Sequence, residues 1–235
     1  MRPLIIVNGW GMTAAVWDDL RAALTPTRDV ACIDVETLVG HGAAALPELV
    51  AELSRRAPPS CDVLGWSLGA QLALQWAHDC PQQIARLALV AATPRFVIGD
   101  DWTHAMPSAE FDAFADGIAG APGATLARFV LLQAKGDEHA GKVARALRGA
   151  LGSPVIEGLD VLRRADLRPL LPRIAQPAIV IQGEHDALVP TAAARMLAET
   201  LPQGRLHVMP GTGHAPQVSR TAATARLIED FVHDR

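Results

Sequence analysis

The sequence predicts an α/β fold, a mainly parallel sheet with helices on both faces, and three observations predict it. Short apolar, β-rich runs alternate with longer stretches of helical periodicity along most of the chain, the rhythm of strand–helix–strand units. The 235 residues are half hydrophobic, enough to bury the core of one large domain. One region alone breaks the alternation: from Pro94 to about Pro172 almost 80 residues pass without a convincing strand.

Taken in order, apolar runs at Leu4–Val7, Val30–Val35, Cys61–Trp66, Leu87–Ala92, Ala178–Ile181 and Leu206–Met209 predict about six strands. Between and after them, Ala14–Leu24, Leu46–Arg56, Leu68–Cys80, Ala192–Leu201 and Ala222–Val232 carry the 3.6-residue pattern of helices. Within the strandless region, Leu126–Ala134, Lys142–Leu151 and Glu157–Arg164 are helical, with Asp166 placed to N-cap a further one. This region is expected to be a helical lid, residues 94–172, inserted into a core made of residues 1–93 and 173–235. Its charge is uneven. Arg95–Ala121 holds one basic residue against five acidic, whereas Pro122–Arg173 holds nine basic against five acidic; a solvated helix surface explains most of these.

A formal charge of −4 and a pI near 6.0 give no sign of a polyanion-binding protein, and nucleic acid is not an expected partner. The four-residue run Leu4–Val7 is too short for a secretory or membrane segment, and no apolar stretch approaches 18 residues. Cys32, Cys61 and Cys80 form no CxxC pair and read as reduced, mostly buried thiols. A cytoplasmic protein is expected.

The chemistry begins at Gly65-Trp66-Ser67-Leu68-Gly69, a G-x-S-x-G motif after a strand and before a helix. A serine at the tip of so tight a turn sits in a strained backbone, and glycines two residues either side remove the collisions that side chains would cause. The plain alternative is a serine that caps the helix. A serine nucleophile needs a base, and the base an orienting acid. Of eight histidines, His214 in MPGTGHAPQ lies on a Gly-rich loop after the last strand, able to swing over the sheet edge where Ser67 lies. His41, His78, His104, His139, His207 and His233 fit surface or core roles better, and His185 reads as structural. Asp186, in AIVIQGEHDALVP, follows a buried strand at the same edge; Glu184 is its local competitor. Gly9 and Gly11 let the loop after the first strand approach the serine, so the N–H groups of Trp10 and Leu68 are the candidate oxyanion donors, worth about 3 kcal/mol each. No His/Cys/Asp cluster has metal-ligand spacing, and neither metal nor organic cofactor is called for.

The chain order Ser67, Asp186, His214 is that of the α/β-hydrolases. The runs NGWGMTAAVW (8–17), LGWSLGAQLA (64–73), RFVLLQAKG (128–136), ARALRGAL (144–151), GLDVLRRADLRPLL (158–171) and GTGHAP (211–216) resemble one branch of that fold, the pimeloyl-ACP methyl ester esterases of biotin synthesis. The resemblance covers nearly the whole chain and is most specific in the 128–171 region. It implies a serine carboxylesterase that releases methanol and pimeloyl-ACP. It further implies substrate contacts from Trp10, Ser67, Leu68, Phe129, Val130, Leu131, Leu132, Gln133 and His214. Arg128, Lys142 and Arg145 would meet an acidic acyl carrier protein, the expected partner of a monomeric enzyme. The chain departs from that pattern at Asn8, where the family carries His, and at Ala124 and Gly141, where it carries arginines. IDVETLVGHG replaces the usual D-L-P-G-x-G-x-S, and with its first apolar run at Leu4–Val7 the sheet is expected without the N-terminal antiparallel hairpin common in the fold. A general short-chain carboxylesterase or lactonase would use the same triad, and a non-catalytic binding protein would gain nothing from keeping it.

Overall fold

The structure, a computed structural model, describes residues 2–24, 28–39, 45–153 and 156–233. Among the described residues six strands form one all-parallel sheet: β1 (Leu4–Val7), β2 (Val30–Ile33), β3 (Cys61–Trp66), β4 (Ile84–Val90), β5 (Ala178–Gly183) and β6 (Gly204–Met209), in the order β2-β1-β3-β4-β5-β6. The predicted strand count and the parallel sheet are both observed. The inner strands are apolar at successive positions because both of their faces are covered. Ile5, Val7, Val63, Leu87, Leu89 and Val180 point into one core, while Leu4, Ile6, Leu64, Val90, Ile179 and Ile181 point into the other. Adjacent residues on a strand face opposite sides, so each run feeds two cores at once.

The helices outside the strandless region are α1 (Asp18–Leu24), α2 (Val35–Val39), α3 (Leu46–Arg56), α4 (Leu68–Asp79), α9 (Thr191–Thr200), α10 (Pro216–Ser219) and α11 (Thr221–His233). Those between β4 and β5 are α5 (Ser108–Gly120), α6 (Pro122–Ala134), α7 (Ala140–Gly149) and α8 (Ile156–Arg164). Helix α4 is buried on every face from Leu68 to Ala77, wedged beside β3 and α3.

Several details differ from the sequence reading. The stretch Ala14–Trp17 is a 3-10 turn ahead of α1, and β4 begins three residues before its predicted run and ends two residues short of that run's end. The second strand stops at Ile33, and Val35 opens α2 instead of ending a strand. Helix α5 has no counterpart among the periodic segments. Asp166 caps no helix; its carboxylate accepts from Arg168 and Arg95. His41 lies outside the described residues.

Candidate active site

Ser67 occupies the turn between β3 and α4 at φ +55° and ψ −115°. Few non-glycine residues adopt this left-handed conformation, and it persists only where the surroundings enforce it. Its main-chain N–H donates to the Val90 carbonyl at 3.0 Å, and its own carbonyl accepts from Ala70. The motif glycines act as the sequence predicts. A Cβ at Gly65 would fall 2.5 Å from the Gly69 oxygen and 2.6 Å from Ala70 Cα, while one at Gly69 would overlap the Val7 carbonyl. The Ser67 hydroxyl makes no capping hydrogen bond to α4. The helix-cap role is therefore not taken.

His214 lies between β6 and α10. Its Nδ1 is 2.8 Å from Asp186 Oδ2, and both side chains are buried, at 1% and 0% exposure. Asp186 is held by the turn after β5: Oδ1 accepts the N–H groups of Leu188 (2.8 Å) and Val189 (3.0 Å), and Oδ2 accepts from Gln182 Nε2 (2.9 Å). Because the carboxylate accepts, Nδ1 is the donor, which leaves Nε2 to receive a proton. Glu184 is engaged elsewhere, accepting the Gly211 N–H at 2.9 Å, and His185 is half exposed beside it. Ser67, Asp186 and His214 thus follow the C-terminal ends of β3, β5 and β6 on one edge of the sheet.

His214 is fastened on both sides of its peptide unit. Its N–H donates to the Gln133 carbonyl at 3.0 Å, and its carbonyl accepts the indole N–H of Trp66 at 2.9 Å. Sequence reasoning gave Trp66 no role, although it stands inside the serine motif. A contact spanning 148 positions leaves no local signal.

The loop after β1 folds back as expected. Asn8 donates its amide to the Met12 carbonyl, Gly11 has φ +70°, and a Cβ at Gly9 would lie 3.4 Å from that of Ser67. Leu68 opens α4, so its N–H has no acceptor within the helix. Trp10 is 4% exposed and stands edge-on to Phe114 and Phe129, with centroids 5.5 and 5.6 Å away. A cavity of about 90 Å³ opens on Ser67 and is lined by Trp10, Phe96, Phe111, Phe129 and Leu132 among others. That is several times the roughly 10–15 Å³ one water requires. Within the predicted run 129–133, Phe129 and Leu132 therefore line the cavity. Val130 is buried in the opposite core, Leu131 is 57% exposed, and Gln133 reaches the His214 main chain through its carbonyl.

Two groups stand out among the basic residues of the region between β4 and β5. Arg163 is paired with Asp112, and Arg168 with Asp101 and Asp166. Arg128, Lys135, Lys142, Arg145 and Arg148 are exposed on α6, α7 and their connection, and among the described residues none has an ion-pair partner. Ala124 and Gly141 lie on the same two helices, also exposed. Two of the thiols are not poised as nucleophiles: burial, with Asp62 adding to it, pushes Cys61 up to about 12, and burial pushes Cys32 up to about 11. Among the described residues no group of three or more His, Cys, Asp or Glu side chains is placed to hold a metal ion.

Residues 4–227 match the model of the alpha/beta hydrolase family. The chain is 37% identical over 240 residues to a pimeloyl-[acyl-carrier protein] methyl ester esterase of Chromobacterium violaceum, with 97% of this chain and 93% of that protein covered. It is 34% identical to the protein of the same name from Nitrosomonas europaea, with 92% and 90% covered. Among solved structures, an esterase from Exiguobacterium antarcticum matches with a TM-score of 0.83 at 19% identity, covering 100% of this chain and 92% of the other. An enol-lactonase from Burkholderia xenovorans matches at 0.78 and 22%, with the same coverage. At those identities the two structures speak for the fold alone.

Proposed function

Because the chain belongs to the alpha/beta hydrolase family, we propose that Ser67, His214 and Asp186 form the triad of a serine carboxylesterase that hydrolyses the methyl ester of pimeloyl-ACP, a step of biotin synthesis. The observation that carries the reading is a strained, uncapped serine on the same sheet edge as a buried His214–Asp186 bond.

The reaction runs in two acyl-transfer steps. His214 Nε2 takes the proton of Ser67, whose Oγ attacks the ester carbonyl. The main-chain N–H groups of Trp10 and Leu68 receive the developing oxyanion, each worth a factor of about 10²–10³ in kcat. The C–O bond to the methoxy group breaks, and methanol leaves with the proton from His214. Water, deprotonated by His214, then attacks the acyl-enzyme and releases the free carboxylate with Ser67 restored. Asp186 holds the imidazole in the productive tautomer and stabilises its charged form.

Residues 94–172 act as the lid over this site, with residues 1–93 and 173–235 as the core. Phe129 and Leu132 give the acyl chain an apolar wall, in keeping with the resemblance for those two positions. The free cations of α6 and α7 form a face for an acidic carrier, with the exposed Leu131 set in the groove between Arg128 and Lys135. The enzyme is read as a cytoplasmic monomer. Among the described residues no helix is long and apolar enough to cross a membrane.

The test compares pimeloyl-ACP methyl ester with a short free methyl ester, using wild type, Ser67→Ala and the triple variant Arg128→Glu/Lys142→Glu/Arg145→Glu. Loss of both activities in Ser67→Ala is expected. The charge reversal should lower kcat/KM for the carrier ester at least tenfold and weaken its salt dependence, with the free ester turned over as before. Equal turnover of both esters by wild type would make the protein a general short-chain esterase or lactonase. Activity in Ser67→Ala would remove the triad.

A further inference from the structure

We propose that Asp137 is a positioning residue for His214, holding the histidine loop to the turn between α6 and α7. The proposal rests on the triad reading above and adds a residue to it.

Asp137 is 7% exposed and has no ion-pair partner among the described residues. A carboxylate buried without a countercharge is costly unless donors replace its water. Here three do. Oδ2 accepts the N–H of Gly213, the residue before His214, at 2.9 Å. Oδ1 accepts the Ser219 hydroxyl on α10 at 2.8 Å and the His139 N–H at 2.7 Å. The His139 bond is local and shapes the start of α7. The other two cross 76 and 82 positions of sequence and grip the chain on either side of His214.

The surrounding contacts point the same way. Glu138 N–H donates to the Gly211 carbonyl at 2.9 Å, and the Gln133 carbonyl takes the N–H of His214 itself at 3.0 Å. A Cβ at Gly213 would stand 2.9 Å from the Gln133 oxygen and 3.1 Å from that of Lys135, so the loop lies directly on the turn. Gly136, at φ +78°, packs against His185, next to Asp186. Residues 133–138 thus touch the segments carrying both the base and its acid. The Glu138 side chain lies against Gly211, but among the described residues of this turn only Asp137 hydrogen-bonds the histidine loop through a side chain, and a side chain can be changed without breaking the backbone. Without the carboxylate, Gly213 N–H loses its acceptor and the loop is free to shift, carrying the imidazole off the line between Asp186 and Ser67. A misplacement of about 1 Å there costs on the order of 10²-fold in rate.

The test uses the full chain with a short free methyl ester, which involves no carrier. Wild type, Asp137→Ala, Asp137→Asn, Ser67→Ala and Glu138→Gln are compared for kcat, KM and Tm, and for the far-downfield proton resonance of the His214–Asp186 bond. Asp137→Ala should lower kcat at least tenfold with KM within twofold, and should shift or erase that resonance. Asp137→Asn, which keeps one acceptor oxygen, should fall between it and wild type. Glu138→Gln removes the charge of the exposed pair with Arg220 while keeping the side chain's bulk beside Gly211, and should keep kcat. A folded Asp137→Ala with kcat within twofold of wild type and an unmoved resonance would overturn the proposal, leaving Asp137 a structural pin. If Asp137→Ala does not fold, Asp137→Asn decides by the same two readings. Failure of the triad is a separate outcome, seen as full activity in Ser67→Ala.

Discussion

Trp66 stands one residue before Ser67, and its indole N–H reaches the carbonyl of His214 at 2.9 Å. The ring is 1% exposed, edge-on to Trp17 at 6.0 Å and 5.8 Å from the imidazole. The position between Gly65 and Ser67 therefore does two things: it fills the core beneath the turn and ties the histidine loop down to it. Trp66→Phe keeps most of the aromatic volume and removes the donor, leaving a buried carbonyl unsatisfied. Urea unfolding should show a loss of about 1–3 kcal/mol, and kcat should fall at temperatures where the variant is fully folded. A variant that loses stability but keeps kcat would confine Trp66 to packing. That Ser67, Asp186 and His214 would meet at one edge of the sheet was legible because each sits in a short motif just after a strand. Trp66 and Asp137 were not, because their importance lies in partners far along the chain.

Among the elements, the inner strands were the most legible, since strands buried on both faces show as apolar runs, whereas the edge strands β2 and β6 are only half-buried. Helix α5 escaped because SAEFDAFADGIAG buries only Phe111 and Ile118, too few to mark a stripe, and two glycines interrupt its periodicity. Helices α7 and α8 were plainer, because each sets its buried residues on one face against charged ones on the other. The end of α8 is fastened by a network the sequence does not announce. Arg168 lies 2.5 Å from Asp166 Oδ2 and 3.1 Å from Asp101 Oδ1, and Arg95 lies 3.1 Å from Asp166. Hydrogen bonds from Arg168 hold both carboxyls below their ordinary values. A carboxyl with a depressed folded-state pKa contributes stability above its unfolded value, about 3.9 for aspartate, and that contribution is lost as pH falls through the folded value. Wild type should therefore lose Tm more steeply than Arg168→Gln as pH is lowered from 5 to 3. Parallel curves would mean the network is too solvated to matter.

Across the whole molecule, the two edges of the sheet have different tasks. The C-terminal edge carries Ser67, Asp186 and His214. Near the other edge, a buried ion pair joins Arg28, just before β2, to Asp62 in β3 at 2.6 Å, and Arg28 also holds the Arg2 carbonyl at 2.8 Å. Removing one partner of such a pair leaves a buried charge alone, at a cost of about 3–5 kcal/mol. Arg28→Met should lower the urea midpoint accordingly while kcat at 20 °C stays at the wild-type value; an equal loss of kcat would show the two edges to be coupled. The chain between β4 and β5 leaves and rejoins the sheet on adjacent strands, where Ala91 N–H already bonds to the Ile181 carbonyl at 2.9 Å. To the sheet, all of α5–α8 is one long excursion whose length costs little, because closure entropy grows only as the logarithm of loop size. Such a segment is open to exchange between relatives, so preference for one acyl group over another can be inherited separately from the power to cleave an ester. The exchange has one condition set by Asp137: a transplanted segment that arrives without a carboxylate at that turn brings a new pocket and leaves the base beneath it unmoored.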